Sequence, residues 1–135
     1  MTQGLTDSSG APVTVRLDLT GPVSAYTVHL GDGPPVGRAE FVDPPGGEVD
    51  APGGGRERIF FHTETDPEFG GRGLAGLLVR EALRDSRDRS LTVVPVCPLF
   101  ARHLKRHGDA FVADGGAFRR ATPEDLARVS RTAHS

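Results

Sequence analysis

The sequence predicts an α/β domain organised around a strand, a helix and a second strand. Residues 58–65 are rich in aromatic and β-branched side chains, which is typical of a β-strand, and Pro67 ends the run. From Leu74 the apolar residues recur every three or four positions, which predicts an amphipathic helix ending near Arg89. Residues 91–96 are again apolar and predict a buried strand. A right-handed crossover would place the two strands side by side and parallel.

The rest of the chain adds predicted strands before this unit and helices after it. Alternating apolar residues at 13–19 indicate a half-buried strand, and residues 23–30 and 36–42 read as a hairpin. A short helix is expected at 99–107, after Pro98 at its first turn. Thr122-Pro-Glu-Asp is typical of a helix start.

These patterns predict one folded domain with two appendages. Residues 1–12 are polar and are expected to form a flexible N-terminus. Residues 13–111 form the predicted domain, and residues 112–135 a C-terminal extension that is helical in part.

Composition excludes several classes of partner. The 135 residues carry a net charge of −2, which gives no electrostatic reason to expect nucleic-acid binding. No apolar run approaches the length of a membrane span, so no membrane partner is expected. The single cysteine cannot form an internal disulfide, and the first residues lack a signal-peptide layout. A cytoplasmic protein is therefore expected.

The turn before the long helix is rich in glycine and lacks an N-cap side chain. Gly70, Gly71 and Gly73 stand where Ser, Thr, Asp or Asn would normally cap the helix. Several backbone N–H groups should therefore point out of the turn, at the positive end of the helix dipole. Phosphate is a natural ligand for that arrangement, and a turn capped by water is the alternative.

Two common phosphate sites do not fit this turn. Residues 71–76 have the glycine spacing of a dinucleotide fingerprint, but the strand at 91–96 lacks the acidic residue that would bind the ribose. A P-loop would need a lysine followed by Ser or Thr after the glycines. A metal site is not predicted either, because His103 and His107 lack a neighbouring Glu or further clustered ligands.

Three motifs, in order along the chain, resemble a known superfamily. They are His62-Thr-Glu-Thr, Pro67-Glu-Phe-Gly-Gly-Arg-Gly-Leu-Ala and Val94-Pro-Val-Cys-Pro. Together they resemble the GNAT superfamily of acyl-CoA-dependent N-acyltransferases, and more narrowly its short, stand-alone branch. The resemblance covers roughly residues 26–111. It implies a mixed sheet with a central βαβ unit, two strands that splay apart, and flanking helices.

The resemblance also implies where acetyl-CoA, the expected co-substrate, would bind. In the superfamily the diphosphate lies on amides of the loop that opens the central helix, and the pantetheine arm bonds to the strand before it. Gly70 stands where the superfamily signature usually has Gln or Arg. The residues implied are Thr63, Glu64, Thr65, Gly70, Gly71, Arg72, Gly73, Leu74 and Ala75.

The chemistry requires a base for the acceptor amine, and a proton for the leaving thiolate. His62 is the candidate general base, because an imidazole can accept a proton near neutral pH. Glu64 projects to the same strand face and could orient His62 or replace it. Cys97 is a candidate acid or acyl-carrying nucleophile, activated by His62 or by the helix that starts at Pro98. The alternatives are a non-catalytic histidine and a small buried cysteine.

The resemblance implies an N-acyltransferase that uses acetyl-CoA or another acyl-CoA. Larger members insert helices between the superfamily's first two strands, which correspond here to residues 23–30 and 36–42. The tight hairpin after residue 30 leaves no room for helices there. The acceptor site should therefore be open and suit an amine on a protein or another exposed acceptor. The alternative is a non-catalytic CoA-binding or protein-interaction module, and the chain is expected to be a monomer or a homodimer.

Overall fold

The computed structural model describes residues 5–7, 9–21, 23–44, 56–71 and 73–133. Within these residues it contains six strands, three α-helices and a short 3-10 turn at Pro67–Phe69. The strands are β1 (Val13–Asp18), β2 (Ser24–Leu30), β3 (Pro35–Val42), β4 (Glu57–Thr65), β5 (Thr92–Pro95) and β6 (Ala117–Phe118). The helices are α1 (Leu74–Asp88), α2 (Pro98–Ala113) and α3 (Pro123–Ala133).

The strands form one mixed sheet in chain order, β1-β2-β3-β4-β5-β6. The first three pairings are antiparallel, whereas β4 with β5 and β5 with β6 are parallel. The predicted α/β class, with β4, α1 and β5 as its central βαβ unit, is confirmed.

The second helix extends further than the sequence pattern predicted. The prediction ended at residue 107, but α2 continues through Gly108 to Ala113. Gly108 is a poor helix former, yet here it lets an aromatic ring lie against the helix. A methyl group at Gly108 would lie 2.7 Å from Cζ of Phe118. Packing of β6 on α2 therefore outweighs the low helix propensity of the glycine.

A cluster of aromatic rings fills the core between the sheet and the helices. Tyr26, Phe41 and Phe60 come from three adjacent strands, and their ring centroids lie 5.4 to 6.0 Å apart. Phe100 of α2 stacks on Phe60 with centroids 4.2 Å apart. All four rings are almost completely buried. The cluster therefore fixes α2 against the middle of the sheet.

A partly buried polar network joins α1 to the sheet behind these rings. The hydroxyl of Tyr26 donates to Asp85 of α1 at 2.5 Å and accepts from Arg58 at 2.8 Å. Arg58 also forms two hydrogen bonds of 2.9 Å with the carboxylate of Asp43. Burial raises the pKa of Tyr26 well above its ordinary range. Tyr26 is therefore a structural hydrogen-bonding residue.

The last helix is held to the sheet by one arginine. Arg119 donates to Glu57 of β4 and to Asp125 of α3. Thr122 caps α3: its backbone N–H and hydroxyl donate to Asp125, and its hydroxyl accepts from the Asp125 N–H. The helix predicted after Thr122 is thus present as α3, while the proposed domain boundaries at residues 12 and 111 stay a prediction.

We predict that the attachment of α3 depends on the ionisation of Asp125. The Arg119 hydrogen bonds lower the pKa of Asp125 from 3.8 to about 2. A lowered pKa stabilises the fold above the ordinary value, and this stabilisation is lost as the pH falls from 3.8 through 2. At pH 7, Asp125→Asn should lower the hydrogen-exchange protection of α3 amides roughly tenfold. The difference from wild type should shrink as the pH falls below 3.8 and vanish only below pH 2.

Glu124→Gln is the control, because it removes an exposed acid from the same helical turn. It should leave protection in α3 almost unchanged. Equal protection of α3 in wild type and Asp125→Asn at pH 7 would show that the Arg119 contacts do not hold the helix.

Candidate active site

The two central strands pair over part of their length and then part. β4 and β5 pair from Glu57 with Thr92 to Phe60 with Pro95. The carbonyl oxygen of Phe60 then accepts from both Val96 N–H at 3.0 Å and Cys97 N–H at 2.8 Å. Beyond Phe60, no strand among the described residues adjoins β4 on the β5 side. Residues 61–65 and Cys97 therefore border a gap in the sheet, as the resemblance implied.

A bulge next to the gap decides which way the β4 side chains point. Phe41 pairs with Phe60, whereas the next partner, Glu40, pairs with His62, so Phe61 is the extra residue. Because of this extra residue, Phe60 and Thr63 share the face covered by the helices. His62 and Glu64 consequently lie on the opposite face.

The opposite face carries a group of four ionisable side chains. Nε2 of His62 lies 3.5 Å from a carboxylate oxygen of Glu64, and about half of each side chain is exposed. Across the strand pair, Glu40 neighbours His62 and Arg38 neighbours Glu64. Arg38 and Glu40 approach each other at 3.5 Å. His62 and Glu64 therefore lie within ion-pair distance of each other, on the same strand face, as the sequence predicted.

Cys97 lies on the helix-covered side of the gap. Its Sγ is 3.3 Å from Oγ1 of Thr63, and the residue is only 3% exposed. It is also the N-cap residue of α2, without a side-chain capping bond. Since Thr63 and His62 point to opposite faces, the structure does not bring His62 and Cys97 together. The predicted activation of Cys97 by His62 has no geometric support, whereas its position at the α2 N-terminus agrees with the sequence.

Backbone groups of β4 line the gap between these two faces. The N–H of Asp66 donates to Val36 of β3 at 2.7 Å. Because backbone groups alternate in direction along a strand, those of Thr63 and Thr65 face the gap. An extended polar ligand could therefore pair with β4 in place of the missing strand.

In the part of the chain that the structure describes, the first turn of α1 has no side chain that caps its backbone N–H groups, as the sequence predicted. Gly73 is the N-cap residue in the left-handed conformation, with φ of 73°, and no side-chain capping bond is present among the described residues. Gly71 is also left-handed, with φ of 82°. The N–H of Leu77 is bonded to Gly73 within the helix, which leaves Leu74, Ala75 and Gly76 as the first-turn donors. These groups fit a diphosphate, and Arg72 lies outside the described residues.

A cavity of about 390 Å³ lies at the same end of the sheet. Its walls include Arg38 and Glu64 from the ionisable face and Gly37 near the start of β3. A methyl group on Gly37 would lie 2.9 Å from Thr65 and 3.0 Å from Val28, so glycine permits close packing here. The full lining is Thr27, Pro35, Val36, Gly37, Arg38, Glu64, Thr65, Asp66 and Pro67.

The sequence-based prediction missed the residues that β2 and β3 bring to this cavity. Arg38 and Thr27 were not singled out, although the hairpin register pairs them directly. Glu64 pairs with Arg38, and Arg38 pairs with Thr27, so the three side chains lie on the same face of the sheet. Following these pairs from Glu64 would have identified both residues. The signal was available only once β3 was paired with β4.

Among the described residues, no group of three or more His, Cys, Asp or Glu side chains is placed to hold a metal ion. The helices in the part of the chain that the structure describes are too short or too polar to cross a membrane.

The fold is an α/β domain with two features at one end of its sheet. One is the gap between β4 and β5, and the other is the glycine mouth, meaning Gly71, Gly73 and the first-turn N–H groups of Leu74, Ala75 and Gly76. Together they suit an extended ligand that carries a phosphate group. The sequence model of the GCN5-related N-acetyl-transferase family matches residues 25–114, two thirds of the chain. The chain therefore belongs to this family, whose general reaction is acyl-CoA-dependent acetyl transfer.

Comparisons with individual proteins are less informative. No curated protein matches the sequence. Among solved structures, the chain is similar to a ribosomal-protein-alanine N-acetyltransferase from Brucella melitensis biovar Abortus 2308, at 17% identity and a TM-score of 0.43. The alignment covers 82% of this chain but only 59% of that enzyme.

We predict that the left-handed glycine at the helix start is required for coenzyme binding. Gly73→Ala would place a Cβ where φ is 73°, at a cost of about 1 to 2 kcal/mol, and would shift the first-turn amides. The dissociation constant for acetyl-CoA, measured by calorimetry, should rise at least roughly tenfold.

Gly115→Ala is the matched control, because Gly115 has φ of 102° and lies at the far end of α2. It should lower the melting temperature in the same way and leave acetyl-CoA affinity unchanged. Equal acetyl-CoA affinity of wild type and Gly73→Ala would contradict a role for the start of α1 in coenzyme binding.

Proposed function

We propose that the chain transfers an acetyl group from acetyl-CoA to an amine presented at the open face of β4. The observation that carries the proposal is the gap between β4 and β5 beside the uncapped start of α1. The family match supports acetyl transfer in general.

The gap and the glycine mouth suit different parts of the coenzyme. First-turn amides at Leu74 and Ala75 would hold the diphosphate, with Gly70, Gly71 and Gly73 shaping the loop. Backbone groups of Thr63 and Thr65 would pair with the pantetheine amides in the gap. The thioester supplies the activated acetyl group, and this placement directs it toward Cys97 and the bulge at Phe61.

The acceptor would approach from the face that carries His62 and Glu64. Glu40 and Glu64 favour a cationic ammonium there, and Arg38 offsets part of their charge. The described residues contain no helix between β1 and β3 that would cover this face. An amine on a protein, or another exposed amine, therefore fits better than an enclosed metabolite.

His62 would accept the proton that the acceptor ammonium must lose before its nitrogen attacks the thioester carbonyl. Glu64, with a carboxylate oxygen 3.5 Å from Nε2 of His62, would orient the imidazole. As the C–N bond forms, the C–S bond breaks and the sulfur leaves as a thiolate.

Cys97 is better placed to protonate that thiolate than to carry the acetyl group. Its Sγ lies on the other face of β4 from His62, and its contact is the Thr63 hydroxyl. No base among the described residues approaches the thiol within hydrogen-bonding distance. Tyr26 is not available as the acid, because its hydroxyl is bonded to Asp85 and Arg58.

Thermal unfolding with and without coenzyme tests the proposal. Acetyl-CoA at a hundred times its dissociation constant should stabilise the protein by about 2.7 kcal/mol, whereas NAD should have no effect. A melting temperature that acetyl-CoA does not change would reject the proposed function. Stabilisation without acetylation of any amine in a panel of peptides and small amines would instead favour a non-catalytic CoA-binding module.

We predict that His62→Ala lowers kcat at saturating acetyl-CoA by roughly a hundredfold or more, because a general base contributes on that order. The loss should shrink as the pH rises and more acceptor amine is already deprotonated. Glu64→Gln should cause a smaller loss. Glu124→Gln, an exposed substitution on α3, is the activity control. An unchanged kcat for His62→Ala would remove His62 from the mechanism.

We also predict direct transfer without an acetylated enzyme. Incubation of wild type with acetyl-CoA and no amine should leave Cys97 unmodified in peptide mass spectra, because its thiol contacts the Thr63 hydroxyl and no base within the described part of the chain. Cys97→Ser, which keeps a proton donor, should retain more activity than Cys97→Ala. Stoichiometric acetylation of Cys97 that an added amine then removes would show that Cys97 is the nucleophile.

A further inference from the structure

A cluster of three basic side chains lies on the α1–α2 surface, outside the site described above. His103 and His107 are one turn apart on α2, with ring centroids 4.9 Å apart. Burial, then the charges of His107 and of Arg80 on α1, lower the pKa of His103, and α1 contacts α2. The cluster therefore joins side chains from both helices.

The cluster lies close to the start of α1. The helices α1 and α2 follow the parallel strands β4 and β5. Both helices therefore begin at the end of the sheet where the C-termini of these strands lie. Helical side chains tilt toward the N-terminus, and the Arg80 guanidinium folds back over Gly76. A methyl group at Gly76 would lie 3.3 Å from Nη1 of Arg80. That nitrogen therefore lies about one helical turn from Gly73, roughly 5 Å along the axis.

The Arg80 guanidinium forms no ion pair with an acidic side chain among the described residues. Burial, His107 and Arg80 all lower the pKa of His103, which favours its neutral imidazole, a form that can still donate a hydrogen bond to a phosphate oxygen. Between residues 98 and 108, α2 also carries Arg102, Lys105 and Arg106 and no acidic residue. On α1, the neighbouring Glu81 pairs with Arg84 at 3.6 Å. A net charge of −2 for the whole chain makes this local excess notable.

We propose that Arg80, His103 and His107 bind the 3′-phosphate on the ribose of the coenzyme. The inference rests on the proposed function, which puts the diphosphate at Leu74 and Ala75. In coenzyme A a single ribose separates the diphosphate from the 3′-phosphate, so the second phosphate must lie near the first. Arg80, one turn along α1, offers this phosphate a guanidinium, and His103 and His107 on the adjacent helix α2 offer two imidazoles.

Binding of acetyl-CoA and 3′-dephospho-acetyl-CoA to wild type and Arg80→Ala separates this contact from all others. Wild type should bind acetyl-CoA roughly tenfold or more tightly than the dephospho form. Arg80→Ala should lose that preference while its affinity for the dephospho form stays unchanged. The double variant His103→Ala with His107→Ala, which keeps Arg80, should show a smaller preference than wild type.

Arg84→Ala is the matched control, because Arg84 is an exposed arginine one turn further along α1. It should keep the wild-type preference, which excludes a general effect of lost positive charge. Equal loss of affinity for both coenzymes in Arg80→Ala would overturn the proposal, as would equal binding of both by wild type. If neither coenzyme binds to wild type, the proposed function itself fails.

Discussion

The site depends on one carbonyl group, that of Phe60. Two consecutive amides, those of Val96 and Cys97, donate to this oxygen, and β5 ends there. The ring of the same residue stacks on Phe100 and so holds the first turn of α2 in place. Because α2 starts directly after Cys97, β5 cannot continue alongside β4. The gap is therefore a consequence of the core packing around Phe60.

The bulge at Phe61 adds a second constraint with a chemical consequence. Without the extra residue, strict alternation would place His62 on the same face as Phe60, toward the helices. With it, Thr63 meets Cys97 on the covered side, and His62 meets Glu64 on the open side. The proposed base and the proposed acid are thus separated by the strand itself, which suits direct transfer across the gap.

Much of this arrangement could be predicted from sequence because it is local. The strand at 58–65, the helix after Gly73 and the pairing of His62 with Glu64 follow from residue periods and turn chemistry. The bulge could not be predicted, because it depends on how β3 and β4 pair and no turn residue marks it. The separation of His62 from Cys97 follows from that bulge, and so the predicted activation of Cys97 by His62 had no sequence signal against it.

Long-range packing accounts for the other differences. The continuation of α2 through Gly108 depends on Phe118, ten residues later, lying against the helix. Arg38 and Thr27 join the cavity only through the register of two strand pairs. In each case the deciding contact lies between elements, where intrinsic propensity carries little information.

The position of α2 connects the two ends of the proposed coenzyme site. Cys97, the N-cap residue of α2, borders the gap between β4 and β5. His103 lies in the second turn of α2, on the side of Arg80. Phe100, between them, anchors the helix to the aromatic core. A substitution that loosens Phe100 would therefore disturb the thioester end and the nucleotide end together, whereas loss of the Arg80 side chain would affect the nucleotide end alone. That difference is why an exposed residue on α1, rather than a core residue of α2, can isolate one phosphate contact from the rest of the binding site.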